Sequence, residues 1–198
     1  MRIAFFLLLS ACGAAPEHGT MSALTANAQA PHDLCEHKVP AEVCVLCHPE
    51  LIPQFKAQGD WCGPHKVPES QCHKCHQLSF EPLPALPEGA DVAAVPPEQA
   101  LGELASLAVP GKTTVIDFWA VWCVPCRKVT VDLHKHLQKR ADLAVRKVQI
   151  GTWDDPVAMK HLGGSPDLPL VVVLGPDGRE IGRMSGYRPD QLDALLAK

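Results

Sequence analysis

Val115-Ile116-Asp117-Phe118-Trp119-Ala120 runs directly into Val121-Trp122-Cys123-Val124-Pro125-Cys126, and this junction decides the fold of the C-terminal half of the chain. The first part is an apolar run of buried-strand length. The second opens a helical pattern over residues 123–140, with Val129, Leu133 and Leu137 on one face and charged residues opposite. Two cysteines separated by two residues at a strand-to-helix turn can close a disulfide across the first helical turn, the first thiol facing solvent and the second behind it. A metal site at the same place needs two further ligands from a second loop. The nearest downstream candidates, His134 and His136, lie inside the helix that the pair begins. The spacing therefore points to redox chemistry.

Outward from this junction the pattern is strand and helix in alternation. Residues 97–108 carry Leu101, Leu104 and Leu107 at helical spacing, ended by Gly111. Residues 143–150 read as a strand, 156–162 as a short helix, and two strands flank the turn Gly175-Pro176-Asp177-Gly178 before a final helix over 189–197. Such units predict an α/β fold, a mixed sheet with helices on its faces.

Trp122 to Cys126, Asp117 two residues before Trp119, Pro169 in Leu168-Pro169-Leu170-Val171-Val172-Val173-Leu174, and Gly186 after the last strand together resemble the thioredoxin family over roughly the C-terminal half. The resemblance implies a thioredoxin-like fold, a cis peptide at Pro169 facing the active disulfide, and a buried acid at Asp117. Leu170 stands where many relatives have Thr, and Pro166 is a rival for the cis position; Pro169 alone directly precedes the apolar strand.

At a helix N-terminus Cys123 meets unpaired backbone N–H groups and the positive end of the helix dipole, which favour the thiolate. Cys123 is therefore the expected nucleophile and Cys126, one turn on, the resolving thiol. A buried thiol gives up its proton reluctantly, and the resemblance makes Asp117 the nearby base; its neighbours Ile116 and Phe118 mark the segment as core. Pro169, lacking an N–H, would leave a backbone edge for an extended substrate segment. Val124-Pro125 supplies no side-chain donor to a thiolate, so the expected direction is reduction of protein disulfides. Similar Cys-Val-Pro-Cys motifs occur in membrane-tethered bacterial thioredoxin-like proteins.

Met1-Arg2 and the apolar run Ile3 to Leu9 have the shape of a signal-peptide core, too short to span a membrane. Leu9-Ser10-Ala11-Cys12 resembles a bacterial lipobox, which implies a signal peptide over 1–11 and lipidation of Cys12. A start at Met21 would instead leave the protein cytosolic. Residues 12–31 would be a flexible tether. These features predict a periplasm-facing lipoprotein of a Gram-negative envelope, held to the membrane by its lipid.

Residues 32–78 contain a duplicated Cys/His module. Cys35-Glu36-His37-Lys38-Val39-Pro40 with Cys44-Val45-Leu46-Cys47-His48 is followed by Cys62-Gly63-Pro64-His65-Lys66-Val67-Pro68 with Cys72-His73-Lys74-Cys75-His76. Units this short cannot bury enough apolar surface to fold unaided, so a staple is required. Two structural zinc sites would use Cys35, His37, Cys44 and Cys47, and Cys62, His65, Cys72 and Cys75. Copper(I) or another thiophilic metal suits the same ligands. Two c-type haems would use His48 and His76 as proximal ligands, with His37 and His65 as distal ones, but would leave Cys35 and Cys62 idle. Disulfides are the third possibility. The repeat is similar to short segments on heavy-metal efflux adaptor proteins, which suggests metal capture.

Residues 49–59 read as a short helix joining the repeats, and the prolines over 79–96 as a semi-rigid linker holding the module apart from the domain at 97–198. A formal net charge of −4 and the lack of a basic, aromatic-interleaved stripe argue against nucleic acid. The leading expectation is a lipid-anchored thiol-disulfide reductase recharged by a membrane thiol donor, with no cofactor for that chemistry. A metal-binding or delivery protein with an auxiliary redox domain, and a dihaem electron-transfer protein, are the alternatives.

Overall fold

The apolar run around Ile116 becomes the central strand of a five-stranded sheet, as burial on both of its faces requires. The computed structural model describes residues 34–163 and 168–198. Cys12, the signal and tether segments and Pro166 lie outside them. In chain order the elements are α1 (Ile52–Ala57), β1 (Asp91–Ala94), α2 (Pro97–Ala100), β2 (Thr113–Trp119), α3 (Val124–Leu137), β3 (Leu143–Gln149), α4 (Pro156–Leu162), β4 (Leu170–Leu174), β5 (Glu180–Ser185) and α5 (Pro189–Leu196). The strand order is β1-β3-β2-β4-β5. β1, β3 and β2 run parallel, β4 antiparallel to β2, and β5 antiparallel to β4.

Alternation along β2 divides the core. Ile116 and Phe118 pack with Val148 and Val172 beneath α2 and α4. Val115 joins Val145, Val171 and Val173 on the opposite face, under Leu133 of α3 and Leu192 of α5. Asp117 shares that second face by its position in the strand, which aims a carboxylate at the first turns of α3. Gly182 lets α5 approach β5 closely, since a Cβ there would stand 2.7 Å from Leu195 Cδ2.

Three expectations are corrected. The helix expected over 97–108 is two pieces, α2 and a 3-10 turn at Leu104–Leu107, because Gly102 and the extended Glu103 (φ −76°, ψ 130°) interrupt it. The stretch 79–96, expected as a linker, supplies edge strand β1, paired with Ala144 to Lys147 of β3. Nor does that stretch hold the repeats away from the domain. Val45 and Phe55 pack against Val121, with Val43, Leu51, Ile52 and Val67 around them, because the small module has no other place to bury these side chains.

The repeats fold alike. In each, the backbone N–H of the leading cysteine donates to a valine carbonyl, Cys35 to Val39 at 2.9 Å and Cys62 to Val67 at 2.8 Å. Lys38 and Lys66 both adopt φ 58°, a left-handed conformation uncommon for a side-chain-bearing residue. The paired cysteines form knuckles in which His48 N–H donates to Cys44 C=O at 2.8 Å and His76 N–H to Cys72 C=O at 3.0 Å. Gln71 ties the repeats together. Its side chain is buried, accepting from Val45 N–H at 3.2 Å and donating to Val43 C=O at 2.6 Å.

Candidate functional site

Cys123 caps α3, with Pro125 in the first turn of the helix, where its missing N–H costs nothing. Cys123 and Cys126 form a disulfide with Cα atoms 5.3 Å apart. The Cys126 N–H donates to Cys123 Sγ at 3.2 Å and to Cys123 C=O at 3.1 Å, so a backbone N–H at the helix start points at the expected nucleophile. Cys126 is buried. Cys123 was expected to face solvent, but is only 8% exposed, packed into the same core cluster as Phe118, Ala120 and Cys126.

Around the disulfide, Trp122 Nε1 donates to Gly151 C=O at 3.2 Å and its ring meets Trp153 edge-on at 5.0 Å between centroids. The Leu168–Pro169 peptide is cis, and Pro169 C=O accepts from Gly186 N–H at 2.9 Å. Asp117 is fully buried. Its Oδ2 accepts from Lys147 Nζ at 2.7 Å, while Oδ1 is buried without a hydrogen-bond partner among the described residues. A buried carboxylate oxygen with spare acceptor capacity is a natural receiver for a proton.

Lys147 was missed by sequence reasoning. It also donates to Thr130 Oγ1 at 2.8 Å and lies 5.0 Å from the Trp119 ring centroid. Its signal lies in strand register: Asp117 and Lys147 are direct partners across the parallel β2–β3 pair. A cleft of about 350 Å³ opens between module and domain, with Pro40 and Val43 on one wall and Cys123 and Lys147 on the other. Arg127, next after Cys126, pairs with Glu42 of the module at 3.2 Å and donates to Glu81 C=O at 2.9 Å.

The two repeats bring together two sets of four ligand atoms, each set within 4.8 Å: Cys35, His37, Cys44 and Cys47, and Cys62, His65, Cys72 and Cys75. His37 Nδ1 lies 3.6, 3.5 and 3.5 Å from the sulfurs of Cys35, Cys44 and Cys47. His65 Nδ1 lies 3.3, 3.4 and 3.3 Å from those of Cys62, Cys72 and Cys75. A tetrahedral ion with metal–sulfur bonds of about 2.3 Å and metal–nitrogen bonds of about 2.0 Å would have nitrogen–sulfur edges of about 3.5 Å. The side chains therefore fit a closed three-sulfur, one-nitrogen metal site. His48 and His76 stand outside both sets, and His48 Nδ1 instead meets Glu50 Oε1 at 3.0 Å.

Protons are shared unequally among these thiols. Burial works to raise Cys35, but hydrogen bonds from the Val39 and His37 backbone and from Cys44 bring it down to about 7. Desolvation, and then hydrogen bonding and repulsion from Cys35 and Cys44, push Cys47 up to about 12. In the second repeat, hydrogen bonding to Cys72 and Cys62 pushes Cys75 up to about 12. A cation bound among such sulfurs would displace their protons.

Comparison with known proteins places these features in context. A family model described as Redoxin matches residues 83–198, more than half of the chain and beginning after the repeats. The chain is 30% identical over 100 residues to a thioredoxin of Coprinus comatus, covering 50% of this chain and 91% of that protein. It is 33% identical over 87 residues to the thioredoxin of Alicyclobacillus acidocaldarius, covering 43% and 80%. The short form of spinach chloroplast thioredoxin f is 21% identical, with coverage of 55% and 93% and a TM-score of 0.43.

Proposed function

The chain belongs to the redoxin family, among its thioredoxin-like members, and on that premise we propose that this thiol-disulfide oxidoreductase reduces disulfides of exported proteins at the periplasmic face of a bacterial envelope. The observation that carries the reading is the Cys123–Cys126 pair at the start of α3. In the reduced enzyme, Cys123 thiolate attacks one sulfur of a substrate disulfide, forming a mixed disulfide and expelling one substrate thiolate. Cys126, its proton taken up by Asp117, attacks Cys123 Sγ and expels the second. Asp117 returns its proton to solvent, and the two expelled thiolates take protons from solvent, so the substrate has gained two electrons and two protons and the enzyme holds the disulfide. A membrane thiol donor returns it to the dithiol.

Val124-Pro125 supports the reducing direction, since no side chain between the cysteines stabilises a thiolate. The lipobox-like Leu9-Ser10-Ala11-Cys12 supports attachment through lipidated Cys12. Both tetrahedral ligand sets support structural zinc, or another thiophilic ion, in the module. The metal would supply folding energy and no redox step. Each set draws in both cysteines of its pair together with Cys35 or Cys62, which favours metal over thioether-linked haem.

The experiment is equilibration of the pair against glutathione buffers, with metal analysis of the same preparation. The reading predicts a potential near thioredoxin's about −270 mV, and zinc at about two per chain. A potential near −120 mV would make the protein an oxidant. Labelled lipid should enter the wild type and not Cys12→Ser; labelling of neither would remove the anchor.

A further inference from the structure

The metal module and the redox centre meet at one surface. Val45 lies inside the Cys44–Cys47 knuckle, is 2% exposed, and packs with Phe55 on Val121, beside Trp119 and Trp122. Val121 stands two residues before Cys123. At the edge of this contact Glu42, two residues before Cys44, holds Arg127 at 3.2 Å. Cys123 is 8% exposed and stands on the wall of a cleft it shares with Pro40 and Val43 of the module. Phe55, the largest buried side chain of the module, is committed to this cluster.

We propose that the first repeat is a metal-stapled cap on the redox centre, and that occupancy of the Cys35, His37, Cys44 and Cys47 site sets how readily Cys123 reacts. The proposal rests on the metal reading of the repeats given above. A unit this small draws its folding energy from the bound ion. With the ion in place, the knuckle is rigid, Val45 is held against Val121, and substrate reaches Cys123 from the Val124 side, where that valine is 43% exposed. Without it, the knuckle loses the order that presents Val45. The cap then opens, uncovering Val121, Trp122 and the cleft leading to Lys147. Metal depletion and faster disulfide exchange are thereby coupled within one chain.

The test uses the full chain with its redox pair reduced, either loaded with zinc or stripped by a chelator. Each form is pulsed with a small alkylating reagent, and the peptide containing Cys123 is quantified by mass spectrometry. Stripping should speed Cys123 modification by about tenfold or more, as expected when a buried group is exposed by local opening. Val45→Asp keeps all four ligands; it should retain zinc and yet modify Cys123 at the stripped rate. Glu42→Arg, a change on a half-exposed side chain, should move the loaded protein partway and serves if Val45→Asp loses its metal. Equal Cys123 rates in loaded and stripped wild type would overturn the cap while leaving the metal reading intact. A protein that binds no zinc would overturn both.

Discussion

Asp117 and Lys147 show how far single residues can be read. The two cysteines are legible from spacing alone, because only that interval at a strand-to-helix junction places one sulfur at the helix start and the other a turn behind. Asp117 is legible as a charge in an apolar run. Lys147 is not: in an alternating strand it looks like an outward-facing cation, and only the register that sets it opposite Asp117 reveals the 2.7 Å pair. Asp117→Asn removes the proton acceptor while keeping shape. It should slow release of the mixed disulfide by about a hundredfold near neutral pH, at the low end of general-base effects, and leave the first attack by Cys123 little changed. Single-turnover kinetics separate the two steps. Lys147→Met should act in the same direction through the orientation of Asp117, with a smaller effect.

At the scale of elements, the long helix and buried strands follow from periodicity, whereas β1 escapes it. Asp91-Val92-Ala93-Ala94 is short, half-exposed and set among prolines; it becomes a strand only because β3 offers an open edge. Asp91 secures it, accepting from Arg146 at 2.7 Å and Lys112 at 3.0 Å. Burial works to raise the Asp91 carboxyl, but these two cations hold it below the ordinary aspartate value. A depressed folded-state value contributes stability that is full above about pH 4 and is lost as pH falls through it. Asp91→Asn should therefore cost about 1 kcal/mol at pH 7, as expected for a partly exposed charge network. The difference from wild type should shrink toward pH 3. Urea unfolding at the two pH values measures this; an equal difference at both would remove the electrostatic explanation.

Across the whole molecule, the repeat and its ligand spacing are legible, but the docking of module on domain is not. The contact joins Val45 to Val121 through the fold, and prolines over 79–96 suggest separation when read alone. Gln71 is the comparable hidden link between repeats, a polar residue buried for its two backbone hydrogen bonds. Gln71→Leu leaves those backbone groups unpaired, a cost of about 1–3 kcal/mol. Zinc should then pass to a competing chelator faster than from wild type, followed with a chromogenic indicator. Cys44→Ser should lower zinc from about two to about one per chain, because each closed site needs its full ligand set.

The most direct measurement is a trapping experiment with Cys126→Ser. Without the resolving thiol, the reduced full chain mixed with a disulfide-bonded protein should accumulate a covalent mixed disulfide. Mass mapping should place that bond on Cys123 alone, and wild type should show no such accumulation under the same conditions. Failure to form the adduct, or its appearance on a cysteine of the repeats in place of Cys123, would contradict the assignment of this pair as the thiol-disulfide exchange centre.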